Sequence, residues 1–246
     1  MGSTLGAPGL TAVVLQPSYL PWRGYFDLID RADVFVFYDD VQYDKHGWRN
    51  RNRIKTAGGL GWITVPVHAG GAVAEGTPIN AIAIDHRRDW VRAHCETLRH
   101  AYHKQPFYAR YAPPITQILA RRHALLADLT IELTVALARE LGSTTRFVRS
   151  SELALSGRKN DRLLDVLEQV GATHYISGPA ARAYIEPERF ERAGIALEYA
   201  CYDYPAYAQT RPPYEAAVSI VDTLFALGPA TIDNIRAHRV PEALIA

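Results

Sequence analysis

Residues able to do chemistry crowd the stretch from Gln16 to Lys55. The run QPSYLPWRGYF sets Gln16, Tyr19, Trp22 and Tyr25 around two prolines. Proline fixes φ, so these groups can form a ligand wall with little residual freedom, or a packed aromatic turn. Asp39 and Asp40, followed by Gln42, close a hydrophobic stretch. Carboxylates so placed accept a proton, orient an amine or help hold a hydrated cation. Neighbouring strand residues face opposite ways, so the pair converges only where the strand has already ended. In KHGWRNRNRIK, Arg49, Arg51, Arg53 and Lys55 alternate with Asn50, Asn52 and Ile54. An extended chain puts all four cations on one face. Guanidinium suits carboxylate and phosphate, which predicts a phosphate-bearing ligand; a basic edge that resists sheet aggregation is the bland alternative. Trp48, Tyr43 and Trp62 interleave aromatics with these charges, a pattern also met in RNA binding.

The charge balance weighs against nucleic acid as a partner: 27 Lys+Arg against 26 Asp+Glu leave a net charge of +1 over 246 residues. Other chemistries lack their signatures. His94, His100 and His103 share a stretch without an HExxH or paired CxxC pattern, so no metal site is expected and the histidines read as exposed helix groups. Cys95 and Cys201 are the only cysteines and read as reduced thiols, Cys201 as a buried one within a strand. No serine sits in a GxSxG elbow, and no GxxxxGK[ST] loop is present. No apolar run is long enough for a bilayer and the first residues do not resemble a signal peptide, so the chain reads as cytoplasmic, without a membrane partner.

The elements that must position these groups follow from periodicity. TAVVLQ reads as a buried strand, GYFDLIDRAD as a short amphipathic helix and VFVFYDDVQY as a second strand. A βαβ opening of this kind predicts an α/β fold with a mainly parallel sheet, whose crevice would gather Gln16 to Trp22 and Asp39 to Tyr43. WITVPV and INAIAI read as further strands around a glycine-rich loop. A helical section spans about 89–142, with one helix before Pro113-Pro114 and one after, ending at Gly142. RFVRSSEL, THYISG and IALEYACY read as strands, NDRLLDVLEQVG as a helix capped by Asn160 or Asp161, and AAVSIVDTLFALG as a last helix before a polar tail. Residues 1–10 form an expected flexible tail and 11–246 a single α/β domain.

The motifs QPSYLPWRGYFDLIDRADVFVFYDDVQY, WRNRNRIK and WITVPV, with GATHYISGPAARAYI, LEYACYDYPAYAQ and SIVDTLFALG later, strongly resemble the WbqC-like protein family from about Thr11 to Gly228. The resemblance implies an amide-forming acyl or aminoacyl (glycine-type) transferase acting on an amino sugar or small-metabolite amine in polysaccharide or natural-product biosynthesis. It carries over to Gln16, Tyr19, Trp22, Tyr25, Asp39, Asp40, Gln42, Trp48, Asn50, Arg51, Asn52, Arg53, Lys55, Ser177, Gly178, Tyr207 and Gln209. On this reading Asp39 or Asp40 is the general base or amine-orienting group, and Arg51, Arg53 and Lys55 hold the donor's phosphates or the oxyanion. Gln16, Tyr19 and Gln209 position the acceptor. The implied partners are a small-molecule amine and an activated, phosphate-containing acyl donor, free or bound to a carrier protein; no resident cofactor is specified. A fainter similarity, in PWRGY followed by ADVFVF, is to the HIGH-type nucleotidyl-transferring enzymes. Trp22 and Tyr25 stand where that motif's histidines would be, and SGRK (Ser156 to Lys159) is similar to its second loop. The alternatives are therefore an ATP-dependent ligase of that class or a non-catalytic glycan- or carrier-binding module.

Overall fold

The computed structural model describes residues 9–237. The expected opening is present: β1 (Thr11–Leu15), α1 (Arg23–Arg31) and β2 (Val34–Phe37). There follow a hairpin of β3 (Arg51–Thr56) and β4 (Gly59–Thr64), then α2 (Trp90–Tyr102), α3 (Tyr108–Ala120) and α4 (Leu126–Glu140). The chain returns through β5 (Arg146–Arg149), α5 (Asn160–Val170), β6 (His174–Ser177), α6 (Pro187–Arg192) and β7 (Ala196–Tyr199). It closes with α7 (Ile220–Leu227) and α8 (Thr231–Arg236).

Five strands form one all-parallel sheet in the order β5-β2-β1-β6-β7. From β1 the sheet grows outward through β2 and β5 on one side, and the chain then crosses back to add β6 and β7 on the other. This is a doubly wound α/β fold, and the order reverses between β1 and β6. Strand period two sorts the core into two layers. Val13, Phe35 and Phe37 pack against α1, the helical section and α7; Ala12, Val14, Val34 and Val36 pack against α5 and α6. Both faces are covered, so the central strands β1 and β2 are almost wholly apolar.

Several expected elements come out differently, each for a local reason. VFVFYDDVQY is a strand only to Phe37, because past it the Asp39 carboxylate caps the start of another segment rather than continuing the ladder. INAIAI contributes a single 3-10 turn over Ile79–Ala81 and isolated bridges through Ala83 and Ile84. Pro113 and Pro114 lie inside α3 instead of ending a helix. That helix begins five residues earlier, and packing of Ile115, Ile118 and Leu119 into the core outweighs the two lost N–H donors. The real break falls at Arg122, with φ +53. Neither Asn160 nor Asp161 caps α5: Asn160 is its first residue and donates to Tyr184 O and Glu186 Oε1. The chain after Gly228 forms α8 before the described residues end. Of the expected flexible tail, 1–8 lie outside the described residues, as do 238–246. Leu10, by contrast, accepts hydrogen bonds from Thr173 and His174.

Candidate functional site

A cavity of about 480 Å³ opens where the sheet order reverses, at the carboxyl ends of β1 and β6. In doubly wound sheets this is where strand-end loops part and leave a crevice. From β1 come Gln16 and Ser18, and from β6 come Gly178 and Pro179. α1 adds Trp22 and Tyr25 at its start, the segment before β3 adds Trp48 and Arg49, and Tyr202 closes the far wall. The walls are aromatic and apolar, and Arg49 is the one charged residue among those that line it.

Local chemistry explains how these groups are held. The Tyr25 hydroxyl donates to Gln16 O at 3.1 Å, tying the turn after β1 to α1. Burial pushes the Tyr25 phenol far up, so it stays a neutral donor. Trp22 stands edge-on to Tyr202 with ring centroids 4.8 Å apart. Its ring also crosses Gly24 so closely that a Cβ there would lie 2.4 Å from it, which explains glycine in PWRGY. Arg49 Nη1 donates to Pro17 O at 3.2 Å, while its Nε lies 3.1 Å from Asp44 Oδ1 as a charge contact rather than a directed hydrogen bond. Burial lowers the Arg49 pKa and Asp44 opposes that shift, so the guanidinium remains charged beside the cavity. Asn52 lines the floor, but both its N–H groups are engaged by Leu20 O and Tyr19 O. It shapes the turn that carries Pro21 and Trp22.

The remaining expected site residues are not gathered here. Tyr19 is fully buried; its hydroxyl is 2.9 Å from His94 Nδ1. His94 Nε2 donates to Thr64 O, so Nδ1 is the acceptor, and burial lowers its pKa to about 4. His94 is thus a buried core group, not an exposed helix residue. Asn50 bonds Tyr43 and Val65 O, Gln42 donates to Val73 O, and the Ser177 hydroxyl pairs with that of Tyr175.

Asp39 and Asp40 face the β5 side and do not line the cavity. Buried Asp39 accepts from Ser150 Oγ, Ser151 N and Ser151 Oγ at 2.9–3.1 Å. Asp40 accepts from the same Ser150 hydroxyl at 2.6 Å and from Arg162 at 2.5 Å. The expected single crevice therefore divides into a cavity and a carboxylate clamp joining the ends of β2 and β5. In the sequence Ser150 and Ser151 fall within RFVRSSEL, which reads only as a strand. SGRK likewise serves a local turn, since Ser156 N and Oγ both donate to Asp165.

Lys55, Tyr207 and Gln209 form a third cluster around buried Asp222. Tyr102 and Tyr207 donate their hydroxyls to its two oxygens at 2.8 and 2.7 Å, and Gln209 donates at 3.0 Å. Lys55 is buried beside them and donates to Pro213 O. Its alternation with Arg51 and Arg53 is as expected, but at its end of β3 the segment of Pro213 covers it, so it is buried where they are only part-buried. Asp222 was missed, although a carboxylate within the apolar run SIVDTLFAL was a legible signal. Arg51 and Arg53 remain outside, their guanidiniums 4.5 Å from the Trp62 ring centroid and 5.5 Å from that of Trp48. Cys201 lies past the end of β7 and is exposed, not buried in a strand. Among the described residues no three His, Cys, Asp or Glu side chains group as metal ligands, and no helix is long and apolar enough to cross a membrane.

Sheet order and cavity together define a doubly wound α/β protein with a cavity at its switch point. The chain belongs to the WbqC-like protein family, whose sequence model matches residues 16–234. It is 41% identical over 228 residues to the uncharacterized protein Rv1507c of Mycobacterium tuberculosis, covering 92% of this chain and 97% of that one. No solved structure matches the chain significantly.

Proposed function

We propose that the protein is an amide-forming acyl or aminoacyl transferase acting on the amine of an amino sugar or small metabolite, with the switch-point cavity as its substrate site. The observation that carries this reading is an aromatic-walled cavity whose one charged lining side chain is Arg49. Apolar walls suit the acyl part of a donor, and a desolvated guanidinium suits its anionic part or the oxyanion of the tetrahedral intermediate. The amine nitrogen attacks the acyl carbon, a C–N bond forms, and the bond to the leaving group breaks with its electron pair. The amine's proton leaves with that group. Gln16 and Ser18 are the neutral polar side chains placed to orient the acceptor. The aspartate pair has a positioning role in this scheme: Asp39 and Asp40 hold the end of β2, next to β1 in the sheet, through Ser150, Ser151 and Arg162.

Intact-mass analysis of an amine panel incubated with aminoacyl thioesters, aminoacyl adenylates, and free amino acids plus ATP tests the proposal. A donor-dependent mass gain on an amine without ATP is the expected result. A gain seen only with ATP would replace the transferase by the ligase. Saturable binding without product under any donor would leave a binding module.

A further inference from the structure

Trp48 belongs to two structures at once. It lines the cavity, and it stacks on Trp62 of β4 with centroids 5.4 Å apart and rings inclined by 29°. The two indoles are 41% and 50% exposed, among the most exposed large hydrophobic side chains described. Arg51 lies over Trp62, and Arg53 lies within 6 Å of both rings. Neither guanidinium has a carboxylate partner among the described residues. Arg51 donates to His46 O and Gly47 O, whereas Arg53 Nε is buried and without a hydrogen-bond acceptor.

The hairpin sets which of these side chains face outward. Asn52 and Ile54 of β3 and Ile63 of β4 turn inward, and Asn52 bonds Leu20 O, so Arg51, Arg53 and Trp62 must turn outward. Alternate residues of β3 put the two cations about 7 Å apart along the strand. Stacking on a flat ring needs no cation, and binding a phosphate needs no indole. A ligand that uses both is a planar base joined to a short run of phosphates.

We infer that Trp48, Trp62, Arg51 and Arg53 form a site for a nucleoside 5′-diphosphate group at the cavity mouth. The base stacks on the indoles, the phosphates meet the two guanidiniums, and whatever the diphosphate carries extends past Trp48 toward Arg49. The inference rests on the cavity being a ligand site, as the transfer reading does, but not on amide chemistry. Two kinds of molecule present this group: a coenzyme A thioester and a nucleotide sugar. A single stacked pair on a chain of net charge +1 suits one nucleotide better than a polynucleotide track.

Calorimetric titration of the full chain with ADP, UDP, adenosine, uridine, inorganic pyrophosphate, coenzyme A, UDP-glucose and a short single-stranded oligonucleotide tests the site. At least one nucleoside diphosphate should bind about tenfold or more tightly than its nucleoside or pyrophosphate alone, because each supplies only half of the contacts. Arg53→Gln and Trp62→Leu should each lower that affinity by about tenfold, while Leu60→Ala, on the same exposed face of β4, should not change it. Tighter binding of coenzyme A or of UDP-glucose identifies which molecule carries the group. Pyrophosphate binding as tightly as ADP and UDP, affinity unaltered in both site variants, or an oligonucleotide preferred over every nucleotide would each overturn the inference. Absence of nucleotide binding in a protein that still transfers acyl groups overturns the inference alone. Nucleotide binding without any transfer overturns the proposed function alone.

Discussion

The Ser150 hydroxyl lies 2.6 Å from Asp40 Oδ1 and 3.1 Å from Asp39 Oδ1, so one proton stands between two carboxylates. The shorter contact is with Asp40, and Asp39 draws further support from Ser151 N and Oγ. The two aspartates are thus unequal. Asp39→Ala leaves buried donors unmatched and should cost about 3 kcal/mol. Asp40→Ala removes a part-exposed pair with Arg162 and should cost about 1 kcal/mol. Urea unfolding of the two variants checks the order; equal losses would show that the clamp is not built around Asp39.

Arg49 separates binding from folding. Arg49→Lys keeps a charge beside Asp44 but loses the planar fork, so it should unfold within about 1 kcal/mol of the parent protein. Transfer should drop about tenfold or more, for loss of a charge-assisted hydrogen bond is worth about 1.5–3 kcal/mol. Steady-state rates with the donor found by mass analysis decide it.

Acid stability should report on His94. Its pKa is about 4 in the folded protein against an ordinary 6.5, because burial disfavours the imidazolium. Between these values the unfolded chain binds the proton and the folded one does not, so stability rises with pH over that window. The contribution is present above about pH 6.5 and lost toward pH 4, by about 3 kcal/mol at the most. Chemical denaturation at pH 4.5 and 7.5 should show a smaller difference in His94→Gln than in the parent.

Asp222 should behave with the opposite sign. Burial raises its pKa, so the folded protein holds the proton more tightly than the unfolded chain. Stability then falls as pH rises from the ordinary carboxylate value through the raised one. Asp222→Asn keeps an oxygen for Tyr102 or Tyr207 and removes this term. The variant should gain on the parent protein as pH rises, whereas Asp222→Leu, which leaves both phenols unmatched, should be destabilised at every pH. Denaturation series on the two variants separate these outcomes.

Periodicity read the βαβ opening and the parallel sheet of the core, while the strand order came from the tertiary structure. TAVVLQ and VFVF carry apolar runs without alternation because both sheet faces are covered, and each became a parallel strand, as did THYIS. The aromatic and polar grouping after β1 was also legible, since proline and aromatic spacing is a local property: Gln16, Trp22 and Tyr25 line the cavity. Partnership across long separations was not legible. Whether Asp39 faces a substrate or Ser151, 112 residues on, depends on β5 lying beside β2. Whether Lys55 joins Arg53 outside or Asp222 within depends on how the hairpin docks against α7. Chain spacing sets which face a side chain takes, but packing of distant segments sets what that face meets. Tertiary structure alone therefore parted one run of charged residues into a cavity wall, a clamp, an exposed platform and a buried cluster.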